Sequence, residues 1–537
     1  MNWNFVEDTR DLARFGYRQA LDRSLGGFSS FAAGFSYISI LTGVFQLFYL
    51  GFAAAGPAFF WTWPVVLLGQ ITVALNFAEL AAHYPLSGGI YQWAKRVGSP
   101  GLGWMTGWVY LAGSVITLAA VSLALQGTLP QISTAFQLVG DGTQEGDQAR
   151  NAVLLGCLLI ALTTSINAFG VRWMARINNA GVFAELFGVV LLLVLLILHA
   201  RRGPEILFET KGSGDGSASS LGSFLGASIM ACYVLYGFDT AGSLAEETRE
   251  SRRRAPWAIL QALIAAGLAG GLLILFSLLS VGDPGRPDLG RIHGGLPSII
   301  KEVLGLTVGR LFLVVVVFAI TVCTLAVHTS AVRLMFAMAR DNALPFARPL
   351  ARVREETGAP IVPSVVIGAL AAILLLVNVN LPHLIETMCS VAIVWANLSY
   401  LMVTLPLLRN RCRGWPHCAS SDEPSPSVAL PGTALFSLGR WGLPVNVIAV
   451  VWGILVVSNM SWPRIEIYGE DAWGRLSAPL LTLGLLGSGW LYYTTVQRSQ
   501  VGIRPEHAAV DFVSLESPMP DRLGGADGFV HPLGANE

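Results

Sequence analysis

Charge is what this sequence has least of. Asp, Glu, Lys and Arg make up 13% of its 537 residues, against about 25% in ordinary soluble domains. With 53% hydrophobic residues beside it, that scarcity excludes a soluble globular chain. Cysteine is also sparse. Four of the six (Cys157, Cys232, Cys323, Cys389) lie in apolar runs and two (Cys412, Cys418) in a polar stretch, so no disulfide framework follows. Cys412, His417 and Cys418 fit no zinc spacing, and neither a metal nor a cofactor is expected. A short signal-peptide core is missing: charges run through the first 26 residues, and the first apolar run is too long for one. An uncleaved chain is therefore expected. No paired aspartates or Ser/His pair with catalytic spacing stands at a membrane edge, which argues against an embedded enzyme, and no nucleic-acid partner is expected.

Long apolar runs are what the chain has instead. A bilayer core about 30 Å thick needs roughly 20 apolar residues per helix. Twelve runs answer to that, at about 27–52, 61–82, 102–130, 151–170, 178–198, 221–244, 257–281, 309–335, 362–380, 383–408, 441–460 and 476–496. The expectation is an all-α membrane protein with twelve transmembrane helices. Net charge is zero, but its distribution is not even. If the N-terminus lies inside, most basic residues, among them Arg10, Arg18, Arg96, Arg253, Arg340, Arg354 and Arg504, fall on that side. Arg150, Arg201 and eight others fall outside, where Asp141, Glu145 and Asp147 cluster. Excess Lys and Arg mark the cytoplasmic side, so both termini are expected there, in the plasma (inner) membrane.

The first run contains "SYISILTG", residues 36–43, with three serine and threonine side chains and a glycine inside a segment free of charge. On this segment alone the simpler reading is close helix packing through small residues. The other reading is a helix that unwinds at Leu41-Thr42-Gly43 and turns free N–H groups into a cavity, since irregular backbone at membrane depth is tolerated only against protein or water. The sixth run decides between them. Its "YGFDTAG" places Gly237 and the carboxylate of Asp239 at membrane depth, where a charge costs at least about 2.5 kcal/mol on a lone helix. Spans one and six open two five-span halves, and paired breaks at matching positions point to a transporter's central site.

The stretches "SLGGFSSFAAGFSYISILTGVF", "NFAELAAHYPLSGGIYQWAKRVGSPGLGW", "YGFDTAGSLAEETRESRRRAPWAI" and "RLMFAMARDNALP", over roughly residues 24 to 345, resemble the amino acid–polyamine–organocation superfamily of permeases, and most of all its amino acid/choline transporter branch. The resemblance implies two inverted five-helix repeats (LeuT-like), with broken first and sixth helices, followed by two extra helices. It divides the chain into a tail 1–24, repeats 25–200 and 201–408, a loop 409–440, the last two helices 441–497 and a tail 498–537. It also implies that a substrate carboxylate meets the amides of Thr42, Gly43 and Val44, at the positive end of a half-helix. The substrate amine would meet carbonyls near Ser39 and Tyr236, beside Gly237 and Asp239, with Tyr233 closing over it. Leu41 departs from the superfamily's usual Gly-Ser-Gly, so the pocket is expected to be narrower or shaped for another ligand.

Glu185 is the one charge in the fifth run, at a position where many relatives place a lysine and near the cation site of sodium-coupled cousins. Desolvation disfavours the charged form of a buried carboxylate, which makes Glu185 a candidate proton carrier, with His328, Thr329 and Ser330 as expected neighbours. A packing role is the plainer alternative. Glu79, before the Pro85/Gly88-Gly89 turn, reads as a structural residue, capping or pairing with Lys95 or Arg96, with a gating role as the alternative. "EETRESRRR", residues 246–254, reads as a cytoplasmic anchor within reach of anionic lipid. Both tails read as weakly structured, and 410–436 as a flexible loop. The function expected is secondary active transport of an amino acid or related amine, proton-coupled. An exchanger, a choline or polyamine permease and a transporter-like sensor are the alternatives; oligomeric state is not legible.

Overall fold

The computed structural model describes residues 3–142, 144–210, 221–292, 294–354, 356, 358–380, 384–416, 435–464, 472–500 and 502–509. Among them regular structure is helical apart from three isolated β-bridges. Eight stretches are long and apolar enough to cross a membrane. One of them, Gly27–His83, holds the first two expected runs and turns at Gly56–Trp61. The helices that build the centre are α1 (Trp3–Arg14), α2 (Gly27–Ile38), α3 (Ile40–Ala55), α4 (Thr62–His83), α5 (Gly89–Val97), α6 (Pro100–Ser122), α7 (Ala124–Ile132), α8 (Glu145–Phe169) and α9 (Val171–Leu198). Then come α10 (Leu221–Ala227), α11 (Ile229–Val234), α12 (Thr240–Ser243), α13 (Ser251–Ser280) and the long α14 (Gly295–Arg340), which kinks at Gly305. They are followed by α15 (Ala347–Leu350), α16 (Ile361–Val377), α17 (Leu384–Arg411), α18 (Gly442–Ser461) and α19 (Ala472–Thr495). The sixth, ninth and twelfth expected runs fall on α10–α12, α16 and α19, outside the eight.

Burial separates the faces of these helices. On α9, Asn178, Gly181, Val182, Glu185, Gly188, Val189, Leu192 and Leu196 are buried. Phe183, Phe187, Val190, Leu191, Val194 and Ile197 are exposed. The buried set recurs at helical spacing, and apart from Asn178 and Glu185 neither set carries a polar side chain, as a helix between a protein core and lipid requires. Gly181 and Gly188 bring α9 close to Val322 and Val315 of α14. That approach presses the Glu185 side of α9 into the core.

The N-terminal segment and residues 502–509 meet on one face. Arg18 N–H donates to the His507 carbonyl and Ala509 N–H to that of Gly16, both at 2.9 Å. Leu25 N–H donates to Glu247 O at 2.9 Å, and Arg249 N–H to Leu25 O at 3.0 Å. Residues 3–25, 497–500 and 502–509 are thus ordered by the core, which corrects the expectation of weakly structured tails for these parts; residue 501, residues 510–537 and most of the 410–436 loop, with His417 and Cys418, lie outside the described residues. Five cysteines among the described residues are free thiols.

This terminal face is sealed by buried charge. Arg340 holds Glu246 bidentately at 2.6 and 2.7 Å, with both side chains wholly buried, and Arg333 holds Glu247 at 2.8 Å. The start of "EETRESRRR" is therefore interior rather than a surface anchor. Asp341 accepts from Tyr17 (3.0 Å), Tyr91 (2.8 Å), Gln92 (3.2 Å) and Lys95 (2.8 Å). Glu79 pairs with Arg411 and accepts from Leu438 N–H at 3.0 Å, so its partner is not Lys95 or Arg96 as expected. Removing one partner of a buried pair leaves an uncompensated charge, a loss of about 3–5 kcal/mol. Glu246→Ala is therefore expected to lower the apparent melting temperature of the purified protein sharply. Glu250→Ala, at the half-exposed i,i+4 pair with Arg254, removes at most about 1 kcal/mol and serves as the comparison; equal shifts in the two variants would deny Glu246 its sealing role.

Candidate substrate site

The first interruption lies at Ser39, between α2 and α3. Its backbone, at φ 28° and ψ 98°, is non-helical, a conformation that costs a non-glycine residue on the order of 1–3 kcal/mol. Local capping offsets that cost. Ser39 Oγ accepts from Thr42 N–H at 3.4 Å and donates to Glu185 Oε1 at 2.9 Å, and Leu41 N–H donates to the same oxygen at 3.1 Å. A carboxylate thus caps the positive end of α3, the end of a helix where anions are favoured. The break stands two residues before the expected Leu41-Thr42-Gly43. As a result the Thr42 N–H is taken by Ser39 Oγ, the Gly43 N–H donates to the Ser39 carbonyl at 3.0 Å, and Val44 lies within α3. The free amides expected at 42–44 are inside the helix.

The second interruption runs over 235–239, between α11 and α12. Gly237 has φ +90°, and a Cβ there would stand 1.9 Å from the Tyr37 ring of α2. Only glycine meets both conditions. Asp239, wholly buried, accepts from Tyr110 of α6 at 2.7 and 2.8 Å and from Tyr400 of α17 at 2.6 Å. The Tyr400 hydroxyl in turn accepts from Gly237 N–H at 2.9 Å. The carboxylate therefore braces the broken backbone through two phenols drawn from two other helices.

Between the breaks lies a tight cavity of about 10 Å³, lined by Tyr37, Thr42, Gly43, Thr117, Tyr233, Tyr236, Cys323 and apolar neighbours. That is room for about one water. Tyr236 packs edge-on against Tyr37 (6.0 Å) and Tyr233 (5.8 Å), and its hydroxyl is 2.8 Å from Thr117 Oγ1. Aromatic faces with hydroxyls and flanking carboxylates suit an organic ammonium group.

Of the residues expected from the sequence, Thr42, Gly43, Tyr233 and Tyr236 line this cavity, Ser39 and Gly237 form the breaks, and Glu185 and Asp239 brace one break each. His328 is not brought to Glu185 by any hydrogen bond: its ring nitrogens face Thr163 Oγ1 (3.1 Å) and the Ser364 carbonyl (3.0 Å). Thr329 donates to Asn167 at 2.8 Å. Neighbouring positions on α14 point at α8 and α16, while Cys323, lower on α14, donates to the Tyr37 carbonyl at 3.4 Å; Ser330 is buried on the same turn as Thr329. Tyr37, Tyr110, Thr117, Cys323 and Tyr400 were not singled out from the sequence. Their signal was available, because tyrosines favour the membrane interface and three of these sit at the depth of the breaks.

The profile of the amino acid permease family matches residues 25–474. The chain is 26% identical to the amino-acid permease BAT1 of Arabidopsis thaliana, over 90% of this chain and 93% of that one. It is 23% identical to the GABA-specific permease of Saccharomyces cerevisiae, over 66% and 63% of the two chains. With the low-affinity putrescine importer PlaP of Escherichia coli it shares 25% identity over 62% and 71%.

Proposed function

Because this chain belongs to the amino acid permease family, and so is a membrane transporter rather than an enzyme, we propose that it moves an amino acid or a related amine across the plasma membrane by alternating access, driven by protons. Twelve spans arranged as two inverted five-helix repeats plus two helices, with both termini in the cytoplasm, are part of the same reading. The observation that carries it is the meeting of two interrupted helices, at Ser39 and Gly237, around one cavity with a buried carboxylate at each break. Paired breaks of this kind are where secondary transporters bind substrate. The ammonium group would lie among Tyr37, Tyr233 and Tyr236; Glu185, hydrogen-bonded to the α3 end, is the group that would carry the proton. A substrate carboxylate would have to displace Glu185 from Leu41, or reach Thr42 and Gly43 after the helix opens.

Counterflow in proteoliposomes tests the reading. A transporter accumulates labelled amino acid or amine against unlabelled solute inside; binding without accumulation would mean a sensor and end the proposal. A thermal-shift panel of amino acids, 4-aminobutyrate, putrescine and choline identifies the solute to label.

Asp239 provides a second test. If it braces the break, Asp239→Asn weakens charge-assisted hydrogen bonds worth about 1.5–3 kcal/mol each. The expected result is a fall in maximal uptake rate and in melting temperature with the half-saturating amine concentration little changed. A selective loss of affinity for cationic amines would instead make Asp239 a direct ligand.

A further inference from the structure

A cavity of about 450 Å³ opens on the terminal face, away from the substrate site. Its wall carries Arg18 from the N-terminal segment, Arg348, Arg352 and Arg354 from the stretch between α14 and α16, and Arg504 and His507 from the C-terminal segment. Three parts of the chain, far apart in sequence, thus bring five guanidinium groups to one bowl. Among the described residues two acids answer them: Glu356 pairs with Arg354 at 2.6 Å and Glu506 with Arg504 at 3.4 Å. Arg18, Arg348 and Arg352 make no ion pair with the described residues.

Convergence is what separates this bowl from the general arginine bias of a cytoplasmic face. That bias requires positive charge near the membrane but no common target, and like charges gathered in a concavity repel one another while focusing a positive field. Guanidinium forks match phosphate bidentately, and a phosphate group offers three acceptor oxygens with up to two charges, where a carboxylate offers two oxygens and one. The volume is that of a small-ligand site. We propose that this bowl binds a phosphate-bearing polyanion on the cytoplasmic side, either a lipid headgroup or a soluble phosphate.

The test uses the full chain in nanodiscs of phosphatidylcholine, read by equilibrium binding. In one arm the disc contains a small fraction of fluorescent phosphatidylinositol phosphate; in the other, inorganic tripolyphosphate is added to neutral discs. Wild type should bind at least one probe. Arg348→Glu/Arg352→Glu should weaken that binding by at least about tenfold, since a charge-assisted contact is worth about 1.5–3 kcal/mol. Arg498→Glu, exposed and outside the bowl, should not. Binding of the lipid probe alone identifies a headgroup site, and binding of tripolyphosphate identifies recognition of phosphate itself. No binding in either arm overturns the proposal, as does an equal loss in the bowl and control variants. If the probes bind only after residues 510–537 are removed, the occupant is the chain's own acidic tail (Asp511, Glu516, Asp521, Asp527) and the proposal also falls.

Discussion

Replacing Gly43 by leucine is expected to reduce uptake to background while leaving monodisperse protein in the membrane. Even the first carbon of a side chain at this position would stand 2.5 Å from Val234 Cγ2 and 3.3 Å from its other two carbons. Val234 ends α11, so the contact lies between the two interrupted helices, and valine has one stiff rotamer with which to respond. Leucine would in addition fill a cavity with space for a single water. A milder pair of variants isolates the contact. Gly43→Ala should lower uptake by an amount equivalent to about 1–3 kcal/mol of overpacking, and Val234→Ala in the same chain should restore most of it, because the two substitutions act on one contact and are not additive. Normal uptake by Gly43→Leu removes the first break from the substrate path. Failure of Val234→Ala to rescue Gly43→Ala places the fault elsewhere than at this contact.

The second large effect is expected at Glu185. Its carboxylate is buried with no cation paired to it among the described residues, held by Ser39 Oγ and Leu41 N–H. Burial of an unpaired charge is costly, and the two hydrogen bonds and the positive end of α3 offset part of that cost. A proton bound here would weaken the hold on Leu41, so loading the group and freeing the half-helix end are one event. For wild type, uphill uptake should rise as external pH falls, collapse with a protonophore and survive replacement of sodium. Glu185→Gln keeps the acceptor for Ser39 and Leu41 and removes the charge, so it should lose uphill accumulation and retain exchange of solute for solute, which needs no net proton movement. Accumulation driven by a pH gradient in Glu185→Gln would return the residue to a packing role. So would wild-type uptake that requires sodium and ignores pH.

Much of the fold was legible along the chain because the bilayer imposes a local rule. A span must be apolar over about 20 consecutive residues, and hydropathy adds up along a window without regard to what lies beside it. Both breaks were legible for the same kind of reason: Gly237 beside Asp239 and the hydroxyl cluster of 36–43 are anomalies within their own segments. Local signals could not say to which residue the first break belongs. Ser39 rather than Leu41 is the end of α2 because Glu185, 146 residues away in the chain, reaches its hydroxyl. The same limit explains the misplaced neighbours of Glu185 and the partner of Glu79, and it explains why the start of "EETRESRRR" read as surface. On a helix such as α9 the lipid-facing and core-facing sides are both apolar, so periodicity does not show which way a lone carboxylate points. The pairs Glu246–Arg340 and Glu79–Arg411 join residues 94 and 332 apart. Composition and hydropathy therefore determined that the chain is a bundle of spans with two weak points. Which charges meet at those points, and which seal the terminal face, was decided by tertiary packing, because a buried charge is satisfied only by a partner that other helices carry to it.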